Sequence, residues 1–111
     1  MQTFERSEPT AELRRFYVFL VDATDGITPE VGEAGGQPQY SVNGAGFGNT
    51  TAVLVAIGNG SYYVELTTGE LSTRGKILVR YKSAETAEFQ DIGQIVERGW
   101  ASVGGLVYRG I

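Results

Sequence analysis

Val21-Asp-Ala-Thr-Asp-Gly-Ile-Thr-Pro-Glu-Val-Gly32 is the stretch whose reading decides the fold of this chain. A strand dense in Phe, Tyr and Val, Leu13 to Asp22, runs directly into the Asp25-Gly26 pair, and Thr28-Pro29 and a further glycine follow. Asp hydrogen-bonds its own backbone and Gly accepts positive φ, so the chain reverses here. Two later pairs, Asn43-Gly44 and Asn59-Gly60, repeat the device beside runs rich in Val, Ile and Tyr. Together they predict a small antiparallel β protein built from hairpins.

Working outward, the strand before the turn is apolar on both alternating faces. Phe16, Val18 and Leu20 lie on one face, and Tyr17, Phe19 and Val21 on the other. A one-sided sheet alternates apolar with polar, so this strand is expected to be buried on both faces, within the domain or against a partner, the core being the first choice. Beyond the flexible Gly32–Gly36 connection, Pro38 to Val42 is expected to pair across Asn43-Gly44 with a short return strand around Phe47. Thr51 to Ile57 is a further strand, and Ser61 to Leu66 the next, with Tyr62, Val64 and Leu66 inward. Thr68-Gly69-Glu70-Leu71 is read as one turn of helix with Thr68 as cap and Leu71 as anchor. Lys76 to Ser83 places Ile77, Val79 and Tyr81 inward, Ala84-Glu85-Thr86 turns, and Ala87 to Val96 is the last strand, with a bulge at Gly93. Six to seven strands at this spacing predict an all-β, immunoglobulin-like antiparallel sandwich over residues 12–97. Residues 1–11 are read as an extended N-terminal arm and 98–111 as a glycine-rich apolar C-terminal arm.

Composition narrows the function. The 111 residues make one domain, and the chain holds neither cysteine nor histidine. That removes disulfides, thiolate nucleophiles, the commonest general base and the commonest metal ligand. The net charge is −4 and the basic residues are scattered, which argues against a nucleic-acid partner. No apolar run is long enough to span a membrane, and the polar N-terminus lacks the apolar core of a signal peptide. Asp22, Asp25 and Glu30 cluster at the first turn but do not follow the EF-hand spacing, and turn chemistry explains Asp25 without a cation. No metal or cofactor is expected, no pair of residues stands out as catalytic, and the chain is read as not an enzyme. Tyr40, Tyr63 and Trp100 are the surface aromatics on which a sugar would stack.

Three blocks in order carry a resemblance. Phe19 to Glu30, Ser41 to Phe47, and Ile57 to Thr67 followed by Glu70-Leu71 and Gly75, resemble a segment recurring in small structural modules of tailed bacteriophages, of the decoration, fibre and baseplate kinds. The likeness covers about residues 16–96 and departs at Val42, where a lysine is expected before Asn-Gly. It implies a β-sandwich used as a virion part, with no catalytic residue to carry over and with other capsid or tail subunits as partners. The expectation is therefore a virion protein, a capsid decoration protein or head-fibre anchor, held in a homo-oligomer or multi-copy lattice. A tail, baseplate or neck component and a host-surface carbohydrate binder are the alternatives. Phe4, Trp100, Leu106 and Tyr108 are expected as partner-binding anchors on the two arms.

Overall fold

The computed structural model describes residues 1–97, which form two β-sheets packed face to face. In chain order the strands are β1 (Gln2–Glu5), β2 (Arg15–Phe19), β3 (Gln39–Val42), β4 (Gly48–Asn49), β5 (Val55–Gly58), β6 (Ser61–Glu65), β7 (Gly75–Tyr81) and β8 (Phe89–Val96), with one 3₁₀ turn at Ala11–Arg14. The larger sheet has the order β1-β8-β7-β3-β4 and the smaller β2-β6-β5. The chain is thus all-β and sandwich-like, as its hairpin signals predict.

Alternation fixes which side of each strand is core. Phe16 and Val18 on β2, Tyr62 and Val64 on β6, Ile77, Val79 and Tyr81 on β7, and Ile95 on β8 are all buried, and they meet between the sheets with Leu20, Leu54, Leu66 and Leu71. The inward sets expected for β6 and β7 are the observed ones. Asn59 and Gly60 both take positive φ, and the two-residue turn they make joins β5 to β6. Asn43 and Gly44 do likewise, and the Ala45 N–H donates to the Val42 carbonyl at 3.1 Å to close that turn. The return strand lies at Gly48–Asn49, just past Phe47.

Four expectations are corrected. The N-terminal residues are not a free arm: β1 pairs in parallel with β8, Arg6 N–H donates to Val96 at 2.7 Å, and Arg14 ties the carbonyls of Glu8, Pro9 and Leu66 together. β2 is buried on one face alone, because Tyr17 is 51% and Phe19 50% exposed. The capping residue is Thr67 rather than Thr68. Its Oγ1 accepts from Glu70 N–H at 3.1 Å, while the Glu70 carboxylate accepts from Thr67 N–H at 2.8 Å, a reciprocal capping-box pair around a hydrogen-bonded turn at 68–71 that does not go on into a helix. Gly93 is no bulge, since β7 and β8 stay in register from Gly75↔Ile95 to Tyr81↔Phe89. Gly93 is glycine because a Cβ there would sit 3.0 Å from the Phe16 ring and 3.1 Å from Gln2 O and from Ile77. The missing side chain lets the two sheets close.

Candidate docking surface

Of the four anchors expected on the arms, the structure describes one, Phe4. Phe4 is 3% exposed and stacks on Phe16 with ring centroids 5.8 Å apart, so it belongs to the core and cannot reach a partner. Trp100, Leu106 and Tyr108 lie outside the described residues. Of the three aromatics on which a sugar would stack, Tyr40 and Tyr63 lie apart. Tyr40 stands opposite inward-facing Val79 in the large sheet, whereas Tyr63 points outward from the small one, so they share no surface. Trp100 is again beyond the described residues.

The exposed chemistry gathers instead on the outer face of the β2-β6-β5 sheet. Strand alternation sends Tyr17 and Phe19 outward on β2, because Phe16, Val18 and Leu20 take the core. In the antiparallel register Tyr17 stands directly opposite Tyr63, and Tyr63 opposite Val55. The Tyr17 and Tyr63 rings meet edge to face, centroids 6.3 Å apart at 61°. Val55 and Ile57 on β5 are 42% and 57% exposed. The one charged pair on this face is Arg15 and Glu65, opposite one another with Nε to Oε1 at 3.6 Å, and the Arg15 guanidinium lies 4.3 Å over the Tyr63 ring. An apolar stripe, aromatic on β2 and β6 and aliphatic on β5, thus crosses three strands.

Its two edges differ. On the β2 side, the Gln2 side-chain amide donates to Tyr17 O at 3.0 Å and accepts from Tyr17 N–H at 2.7 Å, filling the place a neighbouring strand would take. On the β5 side all four strand residues are exposed and the sheet order ends. Leu54 exchanges hydrogen bonds with Gly35 and Gly36 at 2.9 Å, and alternation then turns the Ala56 N–H and C=O toward solvent. Sheet edges and faces left to water usually carry lysines or other charges. Here no charged residue occurs anywhere between Glu33 and Glu65. That uncharged run is the one mark of the β5-β6 part of this surface in the sequence.

The first turn is held by its own side-chain hydrogen bonds. Asp25 accepts from Ile27 N–H, Thr28 N–H and the Thr28 hydroxyl at 2.9, 3.0 and 2.5 Å. The Thr28 hydroxyl first, then these two amides, bring its carboxyl down to about 2. Asp22 accepts from Thr24 N–H at 2.6 Å. Partial desolvation, then the charges of Asp22, Glu33 and Glu85, raise the Glu30 carboxyl. Among the described residues no group of three or more carboxylates, histidines or cysteines is arranged to hold a metal ion. The loop that follows is pinned to the core by two tyrosines. The Tyr62 hydroxyl donates to Glu30 O at 2.8 Å and accepts from Glu33 N–H at 3.2 Å, and the Tyr81 hydroxyl donates to the Glu33 carboxylate at 2.7 Å. Burial, then the hydrogen bond to Glu33 and its charge, push the Tyr81 phenol up to about 12. On the large sheet a polar cleft is lined by Gln37, Gln39, Asn49, Arg80, Lys82 and Glu88. Its guanidinium is already engaged, since Arg80 donates twice to Gln39 at 2.8 and 3.0 Å and lies 3.6 Å over the Phe47 ring.

In comparisons with protein-family models, curated proteins and solved structures, nothing matches this chain.

Proposed function

We propose that this chain is a non-enzymatic assembly module that works by docking onto protein subunits, and within that class a tailed-phage virion part of the decoration or head-fibre-anchor kind. One observation carries the docking reading: on a chain of net charge −4, Tyr17, Phe19, Val55 and Ile57 stand exposed around a half-buried Tyr63, on a face whose one cation and one anion, Arg15 and Glu65, are paired with each other. Aromatic enrichment with charge depletion is the composition of the buried centre of protein interfaces. The scaffold behind it is stiff, held by the capping box, the two pinned tyrosines and the Gln2 clamp, so docking orders little that is not already ordered. What supports the virion reading is the resemblance of residues 19–30, 41–47 and 57–67 to phage structural modules. On a symmetric lattice, repeated copies of a modest contact become effectively permanent.

Copy number tests it. Quantitative mass spectrometry of purified particles, measured against the major capsid protein, is expected to give one copy per lattice site. A count of a few per particle moves the protein to the neck, tail or baseplate. Absence from particles overturns the virion reading while leaving the docking face to be tested on other partners.

A further inference from the structure

We infer that the surface covering the outer face of the β2-β6-β5 sheet is the same face of a second copy of this chain, which makes the protein a two-fold dimer with two three-stranded sheets stacked between two five-stranded ones. The inference rests on the docking reading above and names its partner.

Charge is the first argument. The chain as a whole is acidic, yet the face holds one cation and one anion, Arg15 and Glu65, already paired with each other. A partner selected by opposite charge would meet acidic residues here, and there is no excess of them. A surface that is neutral and aromatic is matched by another neutral, aromatic surface. Bringing this face against its own copy therefore keeps the like charges of the two acidic domains at the rim and far side.

Area is the second argument. Tyr17 and Phe19 leave half their surface in water, and Val55 and Ile57 leave 42% and 57%. With Tyr63, Ser61 and the stems of Arg15 and Glu65, the patch is on the order of 600 Å² per copy, or about 1,200 Å² in a symmetric pair, the lower limit of the stable-interface range. Such an interface gives a dissociable dimer, in the micromolar range rather than an obligate one. Shape agrees, because two sheets whose outer side chains alternate pack face to face at about 10 Å. β5, exposed on both faces in one chain, gains in the pair a neighbour that the fold itself does not supply.

The experiment is sedimentation velocity on the full chain across a micromolar to sub-millimolar concentration series. The wild type is expected to pass from monomer to dimer. Phe19→Lys and Ile57→Lys, both at half-exposed positions, are expected to weaken association by at least about tenfold each while circular dichroism stays unchanged. Ile92→Lys, on the exposed side of the large sheet, is expected to leave the dimer intact. A dimer that survives both face variants overturns the inference, because another surface then holds it. A wild type that stays monomeric also overturns it. In that case, binding of an apolar fluorescent dye that Phe19→Lys abolishes would preserve the docking reading, and no dye binding would remove that reading too.

Discussion

At the residue scale, two side chains carry structural roles that their types alone do not announce. Glu70 is 8% exposed, yet its carboxylate is satisfied: one oxygen accepts from Thr67 N–H, the other from Thr51 N–H at 2.9 Å. It thereby ties the capped turn to the segment leading into β5. Glu70→Ala leaves both amides without their acceptor and is expected to cost about 1–3 kcal/mol in urea unfolding, and Glu70→Gln less, since its carbonyl replaces one oxygen. Tyr81 gives a pH prediction. Its folded pKa of about 12 lies above the ordinary phenol value of 10.0. Between those values the unfolded chain has released a proton that the folded chain keeps, so this contribution is whole below pH 10.0 and is lost as pH rises through about 12. Thermal melts from pH 9 upward are expected to show a steeper alkaline loss of stability for the wild type than for Tyr81→Phe. The glycines were harder to interpret from sequence. Gly36 reads as loop flexibility, but a Cβ there would lie 2.2 Å from the Tyr81 hydroxyl, so its smallness makes room for the tyrosine that pins the loop.

At the element scale, hairpins were the legible part. Asn59-Gly60, the inward sets of β6 and β7, and the turn at 84–86 all follow from local chemistry, because a turn type and a period of two are written in neighbouring residues. The parallel pairing of Gln2–Glu5 with Gly93–Val96 was not legible, because no short-range pattern links segments at opposite ends of the described chain. A polar segment with one Phe reads as an arm until its partner strand is known. The same holds for Gln2, whose amide imitates a strand at the edge of β2. Gln2→Ala is expected to leave the fold standing, to lower stability by about 1 kcal/mol and to speed hydrogen exchange at the Tyr17 amide selectively. If that amide exchanges no faster in the variant, water replaces the glutamine at no loss and the edge is not held by it.

At the scale of the whole molecule, Phe4 decides between two pictures of the N-terminus. As an arm anchor it would be dispensable for folding; as observed, it stacks on Phe16 and joins the outermost strand of the large sheet to the edge strand of the small one. Phe4→Ala is expected to destabilise the domain by about 3–5 kcal/mol in denaturant unfolding, the range for an aromatic removed from a core. An unchanged midpoint would return residues 1–11 to the status of an arm. Such a loss is a large part of the whole stability of a domain this size, so the variant is expected to be partly unfolded near body temperature.

What the sequence by itself determined is the architecture: all-β, hairpin-built, with the inward-facing sides of β6 and β7 set by alternation, because these are properties of residues close together in the chain. It also held the doubled apolar character of Leu13 to Asp22 without saying which face was core. Only the tertiary structure decided that. Burial of Phe16, Val18 and Leu20 between the sheets left Tyr17 and Phe19 on the outside, and the register with β6 and β5 placed Tyr63 and Val55 beside them. A strand has two faces and a sandwich one interior. Which face meets water depends on what else packs against it, and that information lies in distant strands.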